Sequence, residues 1–398
     1  MGGFLSRAAY EFELATIRKE WEASSTVTSP PSPETQAQLL GRVVHALKFF
    51  NFYPSTPSHQ VSILMQSAFF ACSPNFPIMS TKGVRNSKDI RLPNPVFATF
   101  LKDLPVLPES VSLGAASLVS YLKEQRMITE IQFRDVLKEL NARPLPLEEC
   151  VACLNWWISA FQNPQEREQL LPIRTQLLNA LVLTINSGDD QKIIPLNTIK
   201  YFFNPKSPTA SSIPLEGPLP ENLLPIAVSK AIKPESLASC LPWTEFSLYD
   251  WLSHLCNTKN SSIPAEYNIT MSPVWAERVI GIISRTWNQL PTESKTRILA
   301  LLYDKPCIPT SNGMKLPQEA YFPNVNIFGD LPVVTFASNL PIKGNVEKIL
   351  QLLKVRKHVE LQIIFDRWVR SYVQIFFTYL LFIAQNDQDR GVDNCRSY

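Results

Sequence analysis

Cys150-Val-Ala-Cys153 is the one close cysteine pair in the chain. Thiols at that spacing can ligate zinc or cycle between dithiol and disulfide. Zinc needs a second pair of ligands at a finger-like distance, and the sequence has none. Val151, Leu154, Trp156 and Trp157 set the two cysteines on an apolar helical face, so both are expected in a core. The four histidines, His45, His59, His254 and His358, lack the H-x-H or H-x-x-x-H spacing that holds a metal. Cys307 could serve as a nucleophile with His254 or His358 as its base, but no local signature joins them, and packing is the expectation. Glu148-Glu149 and Asp189-Asp190 fall at a helix start and in a turn, where carboxylates are expected to meet a helix dipole and solvent. Trp156, Trp157, Trp243, Trp251, Trp275 and Trp287 could stack sugars or bases, yet their spacing with Leu and Ile reads as core.

Phosphate chemistry is equally absent. No glycine stands two residues from another, so neither G-x-G-x-x-G nor G-x-x-x-x-G-K-[ST] occurs. The residues therefore predict no catalytic group, no cofactor-binding group and no metal ligand. A non-enzymatic role is the expectation.

The frame that would carry any site is mainly α. Hydrophobic residues make up 45% of 398, enough for real cores. Thirty-three prolines against 12 glycines imply short helices with firm stops and few tight hairpins. A formal charge of +3, with Lys and Arg interspersed among Asp and Glu, gives little drive toward nucleic acid. Seven cysteines without a regular framework, and no apolar leader at the start, point to reduced thiols in the cytoplasm.

Residues 1–33 read as a helix and a Ser/Pro linker. A helical domain follows over 34–204, with helices expected over 34–50, from 58, and over 163–185, and a long loop at 73–95. Between 108 and 161, three short helices outline a winged-helix-like unit. Its middle helix opens on a Thr129/Gln132 capping box and exposes Arg134 and Lys138 beside Asp135 and Glu139. A strand is expected over 192–203. Residues 205–222 read as a Pro/Ser linker, and 223–366 as a second helical domain. In it Ser247 and Ser272-Pro273 start helices, Trp275, Val279, Ile283 and Trp287 line a buried stripe, and a Ser-Asn-Gly turn follows Cys307. No internal repeat is countable.

Residues 367–398 form an atypical apolar tail. Leu361, Ile364, Phe365, Trp368, Tyr372, Ile375, Phe376 and Tyr379 make a stripe, and Val373, Phe377, Leu380 and Leu381 load the opposite face. The uncharged run is shorter than the ~20 residues of a spanning helix, so membrane contact is confined to a role for 371–386. The tail reads as foreign to the domain, the product of an altered reading frame or a retained intron.

Several phrases carry a resemblance: Gly3-Phe-Leu-Ser-Arg-Ala-Ala-Tyr, the segment 122–157, Trp287-Asn-Gln-Leu through Asp330-Leu-Pro-Val-Val, and Leu353-Lys-Val-Arg-Lys-His-Val-Glu-Leu-Gln. Over residues 3–367 the chain resembles an uncharacterised domain of large fungal proteins that begin with a Sacsin/Nov-type module, an ATPase-like fold of the histidine kinase and Hsp90 class. That resemblance implies a fragment following such a module, with a scaffold or chaperone-related role and unknown protein partners. The module's nucleotide lid and Asn/Asp motifs have no match here, so no functional residue carries over. A winged-helix module associated with nucleic acid is the alternative.

Overall fold

The computed structural model describes residues 2–393 except 27–31, 52–58, 73–75, 115, 188–189, 258–262, 326–328 and 339. It is mainly α, 59% helical with small strands. The chain forms two compact units, residues 1–202 with 224–244, and residues 203–223 with 245–398. Residues 205–222, expected as a linker, belong to the second unit and bury Ala210 and Ile213 in it.

The first unit opens with three helices, α1 (Gly2–Thr26), α2 (Pro33–Asn51) and α3 (His59–Cys72). Their cluster joins Leu14, Ile17, Val43, Leu47, Ala68 and Phe69, and the Tyr10 hydroxyl donates to the Ala46 carbonyl (2.8 Å). A hairpin of β1 (Pro77–Ser80) and β2 (Gly83–Asn86) follows, then α4 (Pro95–Ala98), α5 (Glu109–Gly114) and α6 (Ala116–Glu124). Leu118 and Leu122 of α6 close the same cluster.

A second cluster begins with α7 (Phe133–Ala142), β3 (Leu145–Pro146), α8 (Leu147–Gln162), α9 (Pro164–Leu170) and α10 (Arg174–Ala180). The hairpin β4 (Val182–Ser187) and β5 (Asp190–Pro195) comes next, with β3 parallel to β4. After β6 (Tyr201–Phe202), this unit resumes with α11 (Ile226–Ala231) and α12 (Pro234–Cys240) and ends at Thr244, the first residue of β7 (Thr244–Glu245). Val136, Leu140, Trp157, Leu177 and Leu237 bring these helices together. The Trp157 indole N–H donates to the Cys240 carbonyl at 3.4 Å.

The second unit holds α13 (Leu248–Leu255), α14 (Pro273–Thr286), α15 (Thr292–Tyr303), a hairpin of β8 (Ile308–Thr310) and β9 (Gly313–Lys315), α16 (Asn345–Leu352) and α17 (Leu361–Asp393). Ser247 Oγ accepts the Asp250 amide and Ser272 Oγ the Trp275 amide, the two helix starts expected. Trp275, Val279, Ile283 and Trp287 are all buried.

Four local expectations are corrected. Residues 73–95 contain the β1–β2 hairpin rather than a loop, because Gly83 supplies the left-handed turn residue (φ +85). The helix expected over 163–185 stops at Ala180, where β-branched Val182, Thr184 and Ile185 enter a strand. The strand expected over 192–203 is confined to β5, up to Pro195, and two-residue β6. The α7 cap is Gln132, whose amide donates to Asp135 Oδ2 (3.0 Å), one turn later than Thr129.

The structure also reveals a duplication. Ser32-Pro33 opens α2 as Ser272-Pro273 opens α14, each serine accepting an amide at 3.2 Å, from Thr35 and Trp275. Gly41 and Gly281 fall nine residues beyond those serines. Leu39, Val43 and Leu47 are buried where Val279, Ile283 and Trp287 are. In both units the first helix packs on the third, and the second on the hairpin and the following helix.

The hairpins match bond for bond. Ser80 Oγ donates to the Gly83 carbonyl and Thr310 Oγ1 to that of Gly313, both at 2.7 Å. Gly83 and Gly313 share φ +85. The segments Asp103-Leu-Pro-Val-Leu and Asp330-Leu-Pro-Val-Val then lie along the same edge. Thr81 N donates to Val106 O as Ser311 N does to Val333 O, and Leu107 N donates to Arg91 O as Val334 N does to Tyr321 O. Each following helix ends on a left-handed residue, Arg126 (φ 54) and Lys354 (φ 71). One supersecondary unit therefore occurs twice.

Candidate functional site

Three of the four buried carboxylates among the described residues, Asp135, Glu139 and Glu149, lie at α7 and the start of α8. They form the strongest concentration of buried charge in the first unit. Arg91, on the segment after β2, grips Asp135 with two bonds of 2.9 Å. Arg143, just beyond α7, donates to Glu149 (2.6 Å), to Glu139 (3.3 Å) and to the Phe100 carbonyl (3.0 Å). Lys102 Nζ lies 2.5 Å from the other Glu149 oxygen. The Asp103 amide donates to Glu139 at 2.9 Å.

Burial works to raise the Asp135 carboxyl. The Arg91 fork and the Gln132 amide outweigh it and hold that carboxyl below its ordinary range. The same contest sets Glu149, where burial is outweighed by Lys102 and Arg143. Asp135 and Glu149 are thus kept ionised and occupied. A general base needs a free lone pair within reach of a substrate proton, and here the buried oxygens are committed to cations and amides. The hollow beside Glu149, about 520 Å³, is lined by Thr99, Lys102, Glu148 and Thr184. Glu149 departs from its expected exposure because Arg143 and Lys102 compensate its burial, whereas Glu148 is exposed.

In the second unit Glu277 is the buried carboxylate. It accepts the Ser338 amide at 3.2 Å and the Ser338 hydroxyl. A hollow of about 500 Å³ beside it is lined by Arg278, Gly281, Arg285 and Leu340. Arg278 is itself ion-paired with Glu216 and lies 5.3 Å from the Trp275 ring centre.

The other candidates resolve into packing. Cys150 and Cys153 are fully buried, and burial pushes the Cys150 thiol to about 12 and that of Cys153 well above its ordinary value. Cys307 is pushed to about 12, and its Sγ is directed at the Leu302 carbonyl (3.6 Å) rather than at an imidazole. Burial lowers His254, against the pull of Glu221, and His358 is exposed. Trp157, Trp243, Trp251, Trp275 and Trp287 are buried, and Trp156 is partly so. Asp189 lies outside the described residues, and of Asp190 only the backbone opening β5 is described. Among the described residues no group of three or more His, Cys, Asp or Glu could hold a metal.

A family model described as "Protein of unknown function (DUF3684)" matches residues 1–378. The chain belongs to this family. No curated protein and no solved structure matches it. The DUF3684 match takes in both copies of the repeated unit and enters α17. It runs past Arg367, so the first turns of the tail lie within the family region, contrary to the expectation that the pattern ends there. Among the described residues no helix is long and apolar enough to cross a membrane.

Sequence reasoning missed Arg91, Arg143 and Lys102. The available signal was Asp135 and Glu139 four residues apart on α7, both turned inward by the same stripe that buries Val136 and Leu140.

Proposed function

We propose that this chain is a non-catalytic helical scaffold region of a Sacsin/Nov-like, chaperone-related protein of the cytoplasm, whose work is to present surfaces to protein partners. The observation that carries this reading is the duplicated unit. Its cap and hairpin hydroxyls are taken up by its own backbone, as in repeat architectures whose surfaces bind while their interiors hold shape. The Sacsin/Nov link rests on the sequence resemblance. A cytoplasmic setting fits free, buried cysteines at 150, 153, 240, 256 and 307. The test is ATP hydrolysis by the purified chain. Turnover abolished by one surface substitution that leaves the fold intact would overturn the scaffold reading.

A second reading has one observation behind it. The order α7, β3, α8, α9, α10, β4, β5, with α9 set aside as an added helix, supports a helix-turn-helix with a hairpin wing, although its hairpin lies beyond the 108–161 span drawn from sequence. Arg134 and Lys138 are both exposed on α7. Under this reading duplex DNA binds in a salt-dependent way, and Arg134→Ala with Lys138→Ala weakens it. Absence of binding at low salt ends it.

A further inference from the structure

Helix α17 occupies in the second unit the place that α7 occupies in the first. Ile364 N donates to the Glu360 carbonyl as Val136 N does to that of Gln132. The Glu139 carboxylate holds the Asp103 amide, and Arg367 pairs with Asp330, the corresponding aspartate of the repeated Asp-Leu-Pro-Val segment. In this register Leu361, Ile364, Phe365 and Trp368 correspond to Phe133, Val136, Leu137 and Leu140.

The surroundings of the two helices differ. On α7, Val136 and Leu140 are buried in a cluster with α8 and α10, and Phe133 and Leu137 pack against it. On α17, Leu361, Phe365 and Trp368 are 83%, 58% and 62% exposed. Tyr372 and Ile375 extend the exposed line, so that Leu361, Phe365, Trp368, Tyr372 and Ile375 follow in steps of four, three, four and three. That is the 3.5-residue period of a seam that faces another helix. The charges of these turns, Asp366, Arg367 and Arg370, lie off the seam, Val369 and Phe376 flank it, and Val373 and Phe377 are exposed on the far face. Two copies of such a seam meet without like-charge repulsion.

The area is sufficient. A buried aromatic side chain contributes ~150–250 Å². Three aromatics more than half exposed, with two aliphatic positions and their flanks, offer roughly 600 Å² per copy, close to the ~800 Å² per partner of a standard interface.

We infer that α17 is a self-association helix, through which two copies of this chain pair along Leu361, Phe365, Trp368, Tyr372 and Ile375. The second copy supplies the helical cover that α8 and α10 supply to α7. This inference does not depend on the scaffold reading, since an enzyme could dimerise in the same way.

Sedimentation equilibrium of the full chain from about 1 to 50 μM tests it. The expected result is a dimer of the 45.1 kDa chain. Phe365→Glu with Trp368→Glu, both at exposed positions, should weaken association at least tenfold while leaving far-ultraviolet circular dichroism unchanged. Arg370→Glu, off the seam, should leave it intact. A monomer throughout the range overturns the inference. So does a dimer indifferent to the double substitution, association abolished equally by Arg370→Glu, or a monomer that instead binds phosphatidylcholine vesicles.

Discussion

The repeated unit of the first half and its counterpart in the second share a skeleton and differ in what they attach to it. Both keep the serine cap, the left-handed glycine, the hydroxyl that closes the hairpin and the amide bonds to the Pro-Val segment. These features satisfy backbone donors and acceptors, and any chain folded this way must satisfy them. The attached groups diverge. Arg91 of the first copy reaches Asp135 and welds α7 to the hairpin segment. Tyr321 holds that position in the second copy, where its hydroxyl accepts from Arg356 at 3.1 Å. The first copy therefore fixes its next helix through a buried ion pair, and the second through an exposed one between Arg367 and Asp330. A shared backbone plan does not prescribe shared electrostatics.

The sharpest way to break this comparison is to remove Arg91. Arg91→Ala leaves Asp135 buried without its cation, and about 3–5 kcal/mol of first-unit stability should be lost. Tyr321→Phe should cost far less, because no buried charge depends on it. Equal losses by urea denaturation would show that the two copies are fixed alike.

A core substitution tests the shared skeleton. Trp287→Ala should cost about 3–5 kcal/mol and Leu47→Ala, at the matching position, about 2–5 kcal/mol. An unchanged denaturation midpoint for either would mean that α2 and α14 do not share a buried stripe.

The pH response distinguishes the units next. The folded-state value of Asp135 lies below its ordinary 3.8, so the Arg91 pair adds stability above that pH, and the gain disappears as pH falls through the folded value. Asp135→Asn should flatten the acid side of the first unit's stability profile. A profile as steep as that of the unsubstituted chain would place the acid-sensitive group elsewhere.

Gly83→Ala and Gly313→Ala should each cost ~1–2 kcal/mol, since both residues sit in the left-handed region. Unequal costs would separate the two hairpins. The smallest effect is expected from truncation after Asp366, which should raise solubility and, at concentrations where the full chain is monomeric, shift stability by no more than about 0.5 kcal/mol. Unfolding of the truncated chain would make α17 a core element.

Much of the helical frame was legible in the sequence, because caps and stripes are local. Ser247, Ser272-Pro273, the Trp275–Trp287 stripe and the Ser-Asn-Gly turn each state their role within a few residues. The strand at Val182 was not legible, since a short apolar run fits a helix end as well as a strand. Thr129 has a cap's chemistry but its carbonyl accepts the Leu92 amide, a long-range demand no local rule contains. The duplication stayed hidden because its matching residues are scattered turn-formers, while the stripes between them change identity, Leu47 to Trp287 for example. The Glu149 cluster was invisible for a related reason: Arg143 and Lys102 reach it only once α7 and α8 have packed.

The path of the chain bears on how the protein is made. Residues 203–223 are built into the second unit, and the chain then returns to give α11 and α12 to the first. As the polypeptide leaves the ribosome, Trp157 waits for the Cys240 carbonyl until a stretch destined for the other unit has already emerged. The two halves must therefore mature with their synthesis interleaved, and a fragment stopping at residue 202 would leave Trp157 without its acceptor.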